Sequence, residues 1–199
     1  SRGPILEEAL SGWQVDVAVL QETKLQQGES VAVPGFTCYW AARTQHRTGR
    51  PSPQGGVAVL VRHGLPHQPL PALSLPAGAA LESLAVELRP RRCRPLRVLN
   101  VYRPPVRSGG GDVRDGRLHL DRWPASGDWM ILGDVNAHAG WDLEADMDDV
   151  GEELESWLDE KGWACFNSGE PTFIGRRGPG SAPDVSMGHA AWLGRVDWT

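Results

Sequence analysis

With 199 residues, 40% of them hydrophobic and 23% charged, the chain has enough material for one sizeable α/β domain with a true core, residues 1–199, and shows no sign of a second. Its longest apolar runs, VAVL and GVAVLV, are far too short to cross a bilayer, and the opening SRGPILEEALSG has no signal-peptide apolar region, so no membrane partner is expected. A formal net charge of -5 excludes a uniformly basic nucleic-acid coat, although Arg89, Arg91, Arg92, Arg94, Arg97, Arg103 and Arg107 cluster in one stretch that reads equally as a local basic patch or a solvated hairpin.

In chain order, Ile5, Leu6, Ala9 and Leu10 fall at helical spacing, and Gly12 is a natural stop. VDVAVLQET follows, with a short, largely β-branched core (Val15, Val17, Ala18, Val19, Leu20) that reads as a buried strand. Further strands are expected over Phe36–Trp40, Val57–Val61, Leu84–Leu88, Val98–Tyr102 and Trp129–Leu132, separated by Pro- and Gly-rich segments such as RTGRPSPQGG and RPPVRSGGGDVRDG. EELESWLDEKG carries Leu154, Trp157 and Leu158 on one face and ends at Gly162, the clearest helix after the first. Ala164–Phe166, Thr172–Ile174 and Asp184–Met187 read as short closing strands. This alternation points to a mixed-sheet α/β domain. Cys38, Cys93 and Cys165 are odd in number and lack metal-like spacing, which suits reduced thiols in the nucleus or cytoplasm.

Two of the expected strands run into acids. VAVLQE delivers Glu22, and WMILGD delivers Asp134. Ligands of α/β sheets collect beyond strand ends, so carboxylates there are candidates for shared work. Glu22 is a hard oxygen donor suited to Mg2+. Asp134 and Asn136, two apart on a strand-like segment, are expected to point the same way, positioning a water and stabilising developing charge. Each alone reads more readily as a turn or helix cap, by roughly three to one.

The segments VAVLQETKL, GGVAVLVR, RVLNVYRPP, ILGDVNAH, SGEPTF and SAPDVSM occur in the order of one superfamily. On these segments the chain resembles the endonuclease/exonuclease/phosphatase superfamily of metal-dependent phosphoesterases. More narrowly, GDVNAH, an acidic helix, NSGEPTF and an S-x-P-D strand make it similar to the apurinic-like endonuclease domain of non-LTR retrotransposons. The resemblance implies a four-layer, DNase I-like α/β sandwich of two packed mixed sheets flanked by helices. It implies Mg2+- or Mn2+-dependent nicking of DNA that leaves a 3′-hydroxyl to prime reverse transcription, within a longer polyprotein carrying a reverse transcriptase.

At matching positions the resemblance implies that Glu22 ligates the metal and Asp134 orients or deprotonates the attacking water. Asn136 holds the scissile phosphate or the nucleophile, Tyr102 contacts the phosphate through its hydroxyl, and Asp184 orients a catalytic histidine. His138 belongs either to the site or to its structural surroundings. The family's early Asn strand and terminal S-D-H motif are expected to fall outside these residues: His189 and Asp197 lie in other contexts and receive no role.

Rival readings remain open at this level. One is a phosphatase or phospholipase of the same fold; another is an inactive remnant or binding module. A third is a calcium loop over Asp142, Glu144, Asp146, Asp148 and Glu153, although Met147 stands where such a loop needs Gly. Nine tryptophans could stack nucleobases, but Trp123, Trp129, Trp157 and Trp163 read as core or helix face, and core is the default for the other five.

Overall fold

The computed structural model describes residues 3–25, 29–30, 32–42, 55–105, 115–174 and 180–198. Arg107 and most of the RTGRPSPQGG and RPPVRSGGGDVRDG segments lie outside them. Helix α1 (Gly3–Gly12) leads into β1 (Val17–Leu20), β2 (Phe36–Ala41) and β3 (Val57–Arg62), which form an antiparallel sheet in the order β1-β3-β2. The strands β4 (His67–Leu70), β5 (Glu82–Leu88), β6 (Leu96–Tyr102), β7 (Trp129–Asp134), β8 (Trp163–Cys165) and β9 (Asp184–His189) form the second sheet, in the order β4-β5-β6-β7-β9-β8. Among the described strands only β6 and β7 pair in parallel, so the larger sheet is the mixed one and the smaller is antiparallel. Helix α2 (Asp149–Lys161) comes between β7 and β8.

Period-two alternation builds the layers. On β3, Ala58 and Leu60 face α1 and meet its Leu6 and Leu10 together with Phe36 of β2, while Val59 and Val61 face the other sheet. Between the sheets those valines pack on Val86, Leu88 and Val98. The far face of the larger sheet presents Leu99, Val101, Ile131 and Met187 to Leu154, Trp157 and Leu158 of α2. The result is the expected four-layer order of helix, sheet, sheet, helix. Trp123, Trp157 and Trp163 lock edge to face in the outer core, with ring centroids 5.9 and 5.5 Å apart.

Helix α2 is fastened at both ends: Asp148 accepts from the Gly151 N–H at 2.7 Å, and Gly162 closes the C-terminus in the left-handed conformation. Gly133, with φ 148°, lets β6 and β7 approach closely, since a Cβ there would fall on the backbone of Val101.

Several expectations change. β1 is a half-buried edge strand rather than a buried one, because β3, between β1 and β2, takes the sheet's centre. Thr172–Ile174 forms only an isolated bridge between Phe173 and Ser181. The edge strand β4 was not anticipated; its HQPL sequence has no apolar alternation to announce it. Trp141 is core, but Trp13 is 79% exposed and Trp40 is 39% exposed.

The arginine cluster is divided by packing. Arg89 and Arg97 pair with the buried Glu87, Arg91, Arg92 and Arg94 are exposed on the β5–β6 connection, and Arg103 is buried.

Candidate active site

Strand register lines up one row of side chains at an end of the larger sheet. Glu82 opens β5 opposite Tyr102, which closes β6; Tyr102 lies opposite Asp134, which closes β7; Asp134 lies opposite Asp184, which opens β9. Directly paired residues point to the same face of a sheet, so this row shares one side. On β6 it is the side of Leu96 and Val98, which face the smaller sheet. The smaller sheet answers with Glu22, just past β1: the Tyr102 hydroxyl donates to its Oε1 at 2.6 Å.

Asn100 holds the two sheets at this spacing. Fully buried between them, it donates through Nδ2 to the carbonyls of Leu20 (3.0 Å) and Ala58 (2.9 Å), and its Oδ1 accepts from Gln21 at 2.6 Å. A buried amide is stable only when its donors and acceptor are paired. These bonds fix the exit of β1 and therefore the start of the Glu22 turn, where Glu22 itself has φ 50°. The turn lies over the diglycine that precedes β3: Thr23 and Lys24 donate their N–H groups to the carbonyls of Gly56 and Gly55 at 3.1 and 2.8 Å. The Gly56 N–H in turn donates to Glu82 at 2.5 Å. A Cβ on Gly56 would sit 2.5 Å from the Thr23 hydroxyl, so the close approach requires glycine.

Asp134 is mostly enclosed. Burial pushes its carboxyl up to about 6, against the lowering effect of the Asn136 N–H that donates to Oδ1 at 2.9 Å; repulsion from Asp184 and Glu22 adds to the rise. Burial and the bond to Glu22 likewise push the Tyr102 phenol well above its ordinary range, so it is a donor at any physiological pH. Lys24 approaches Glu22 at 3.5 Å in an exposed pair that solvent screens.

Asn136 sits close by, but strand alternation is not the reason. β7 ends at Asp134, and Asn136 is left-handed at φ 44°. Its Nδ2 donates to the Arg103 carbonyl at 2.7 Å, which fixes the carboxamide, and the same side chain joins its backbone N–H in favouring the charged form of Asp134.

Asp184 is positioned by NSGEPT: Asn167 donates to its carbonyl at 2.7 Å and accepts from the Ser186 N–H at 2.9 Å, and the Asp184 N–H reaches the Thr172 hydroxyl at 3.3 Å.

His138 is bound into the wall instead. Its Nδ1 is 2.7 Å from Oδ2 of the buried Asp142, which also accepts from the Ala182 N–H at 2.8 Å. Burial alone would raise Asp142, yet these bonds and one from the Glu144 N–H hold it below the usual carboxylate range. With Asp142 so engaged and Asp148 capping α2, the acidic loop has other uses for two of its supposed calcium ligands. Among the described residues no group of three or more His, Cys, Asp or Glu side chains converges closely enough to hold a metal ion unaided.

Glu22, Tyr102, Asp134 and Asp184 thus meet, with Asn136 on the adjoining turn. The supporting residues Glu82, Asn100, Arg103 and Asn167 had no expected role. NVYRPP and NSGEPTF contain three of them, but only pairing across strands gives those residues work at the site.

The sequence profile of the Endonuclease/Exonuclease/phosphatase family matches residues 5–198. A search of curated protein sequences gives no match. Among solved structures, the endonuclease domain of TRAS1, a telomere-specific non-LTR retrotransposon, superposes with a TM-score of 0.66 at 18% identity, over 100% of this chain and 84% of that one. ANGEL2, a 2′,3′-cyclic phosphatase, gives 0.56 at 15% identity over 95% and 73%. The human Nocturnin catalytic domain gives 0.54 at 14% over 94% and 73%. At these identities the structural likeness is one of fold. Because the family profile spans nearly every residue, the chain belongs to the Endonuclease/Exonuclease/phosphatase family.

Proposed function

We propose that this domain is a divalent-metal-dependent phosphodiesterase, and that its substrate is DNA, nicked to leave a 3′-hydroxyl as a primer for reverse transcription within a longer polyprotein. The observation that carries the reading is the meeting of Glu22, Tyr102, Asp134 and Asp184 at one end of the sandwich, with Asp134 pushed up to about 6. DNA is preferred over other phosphoesters on the GDVNAH and NSGEPTF segments.

The donor chemistry fits a divalent cation. Burial and carboxylate repulsion together raise Asp134, and bound positive charge would relieve the second. Mg2+ keeps several waters and takes one or two protein carboxylates, so it needs no cage of three. Glu22, half exposed and turned toward the row, is the ligand we assign. When bound, the ion would lower the pKa of water and stabilise charge on phosphate oxygens.

The chain's own groups supply the rest. Asp134, kept in place by the Asn136 N–H, takes the proton of the attacking water. Asn136 turns its carboxamide to the phosphate or the nucleophile, and Tyr102, whose one O–H proton is given to Glu22 here, would be free to turn it to the phosphate when Glu22 holds a cation. Asp184, opposite Asp134, is the acid we assign to orienting a phosphate-binding histidine, a part that neither His138 nor His189 is given. His138 serves as a wall residue through Asp142.

The test is nicking of supercoiled plasmid by the 199-residue chain and by Asp134→Ala, each with Mg2+ or Mn2+ and with EDTA. Cleavage needing both the metal and Asp134 supports the reading. A folded chain that leaves plasmid intact but hydrolyses a phosphomonoester makes it a phosphatase, and one inert toward both makes it an inactive remnant or a binding module.

A further inference from the structure

We infer that Arg103 is a positioning residue that sets the geometry of the Asp134–Asn136 turn. The inference rests on reading Asp134 and Asn136 as the reacting groups.

Arg103 is the first residue past β6, and its contacts reach three consecutive residues past or at the end of β7. Its N–H donates to the Asp134 carbonyl at 2.8 Å, continuing the β6–β7 pairing by one step. Its carbonyl accepts from Asn136 Nδ2 at 2.7 Å. Its Nη1 donates to the Asn136 carbonyl at 2.7 Å and the Val135 carbonyl at 3.2 Å, while Nε donates to the Gly116 carbonyl at 2.5 Å. Backbone and side chain of one residue therefore grip the turn from both sides.

The choice of arginine follows from the turn. With Asn136 left-handed, the carbonyls of Val135 and Asn136 converge on one buried point, and Gly116 adds a third acceptor. Buried carbonyls without donors are costly. A rigid guanidinium fork spans all three, whereas a lysine ammonium is a single point on a flexible stem. Arg103 is only 6% exposed. Burial works against its charge, and Asp148, Asp134 and Glu153 offset that cost. The same residue thus fixes the Asn136 carboxamide and places a positive charge near Asp134. Misplacing reacting groups by about 1 Å costs about 100-fold in rate, so the grip acts on turnover more than on substrate binding.

The full chain, Arg103→Lys and Arg103→Gln would be compared by amide hydrogen exchange and by plasmid nicking with Mn2+. The expected result is at least about tenfold faster exchange of the Asn136 N–H, with Ile131 and Leu132 in β7 still protected. In nicking, kcat should fall at least about tenfold while KM stays within about threefold, and lysine should fail to rescue it. Should Arg103→Gln not fold, Arg103→Lys carries both readouts. Unchanged exchange at Asn136, or acceleration spread equally along β7, overturns the inference. If the parent chain does not nick DNA but Asn136 alone loosens, the grip stands and the nuclease reading falls.

Discussion

The Tyr102 hydroxyl donates a 2.6 Å hydrogen bond to Glu22, 80 positions earlier and on the other side of the sandwich. This bond crosses from one sheet to the other at the mouth of the site, and each partner restrains the other. Tyr102→Phe should leave the ring packed and remove only the bond, which contributes about 1–2 kcal/mol as a contact to a charged group. Nicking should fall at least about tenfold, because Glu22 loses the restraint that holds it at the site. A Phe variant with parental kcat would remove Tyr102 from the mechanism.

Asp134 is kept at the expense of stability. Its carboxyl is raised from 3.8 to about 6, so between those pH values the folded state retains a proton that the unfolded chain has released. Stability from this group is therefore present at low pH and declines as pH rises through that window. Above it, a charged carboxylate is held in a place that disfavours charge. Asp134→Asn should accordingly be more stable than the parent at pH 7.5, by about 1–2 kcal/mol after allowing for the solvent that still reaches the site. The gain should vanish below pH 4, as urea melts at the two pH values would reveal. Nicking by the parent should decline as acid protonates Asp134, with added metal moving the midpoint lower.

Metal binding should act as a ligand of the folded state. At about 100 times its Kd, Mn2+ should add about 2.7 kcal/mol to stability in metal-stripped protein. Glu22→Gln should abolish most of that increment while lowering the metal-free stability by no more than about 1 kcal/mol, since the Gln carbonyl still accepts from Tyr102. Equal stabilisation of both proteins would move the metal away from Glu22.

Gly133 tests the packing that brings β6 and β7 together. A methyl group at this position meets the backbone of Val101, which pairs on both sides and cannot withdraw. Gly133→Ala should cost at least about 3 kcal/mol in urea unfolding. A loss under about 1 kcal/mol would mean that the strands can separate more easily than their register suggests.

Both α-helices and eight of the nine described strands were readable because their signals are local. VAVLVR and RVLNVY are runs that only a sheet interior accommodates, and ELESWL has one apolar face. The strand HQPL was silent, since an edge strand needs little burial on either side. Asn136 was expected beside Asp134 by alternation, yet it arrives there through a left-handed turn that no two-residue period describes.

By itself the sequence determined where chemistry could occur. Hydrophobic runs ending in Glu22, Tyr102 and Asp134 mark strand ends, because side-chain period and polar termination belong to each segment alone. The family segments supplied their order. The tertiary structure decided which of these residues are neighbours. Glu82 beside Tyr102, Asp184 beside Asp134, Asn100 between the sheets and Arg103 around the turn all depend on cross-strand register and sheet stacking. Register is set by burial across distant strands, and a slip of one residue would turn every one of these groups to the opposite face.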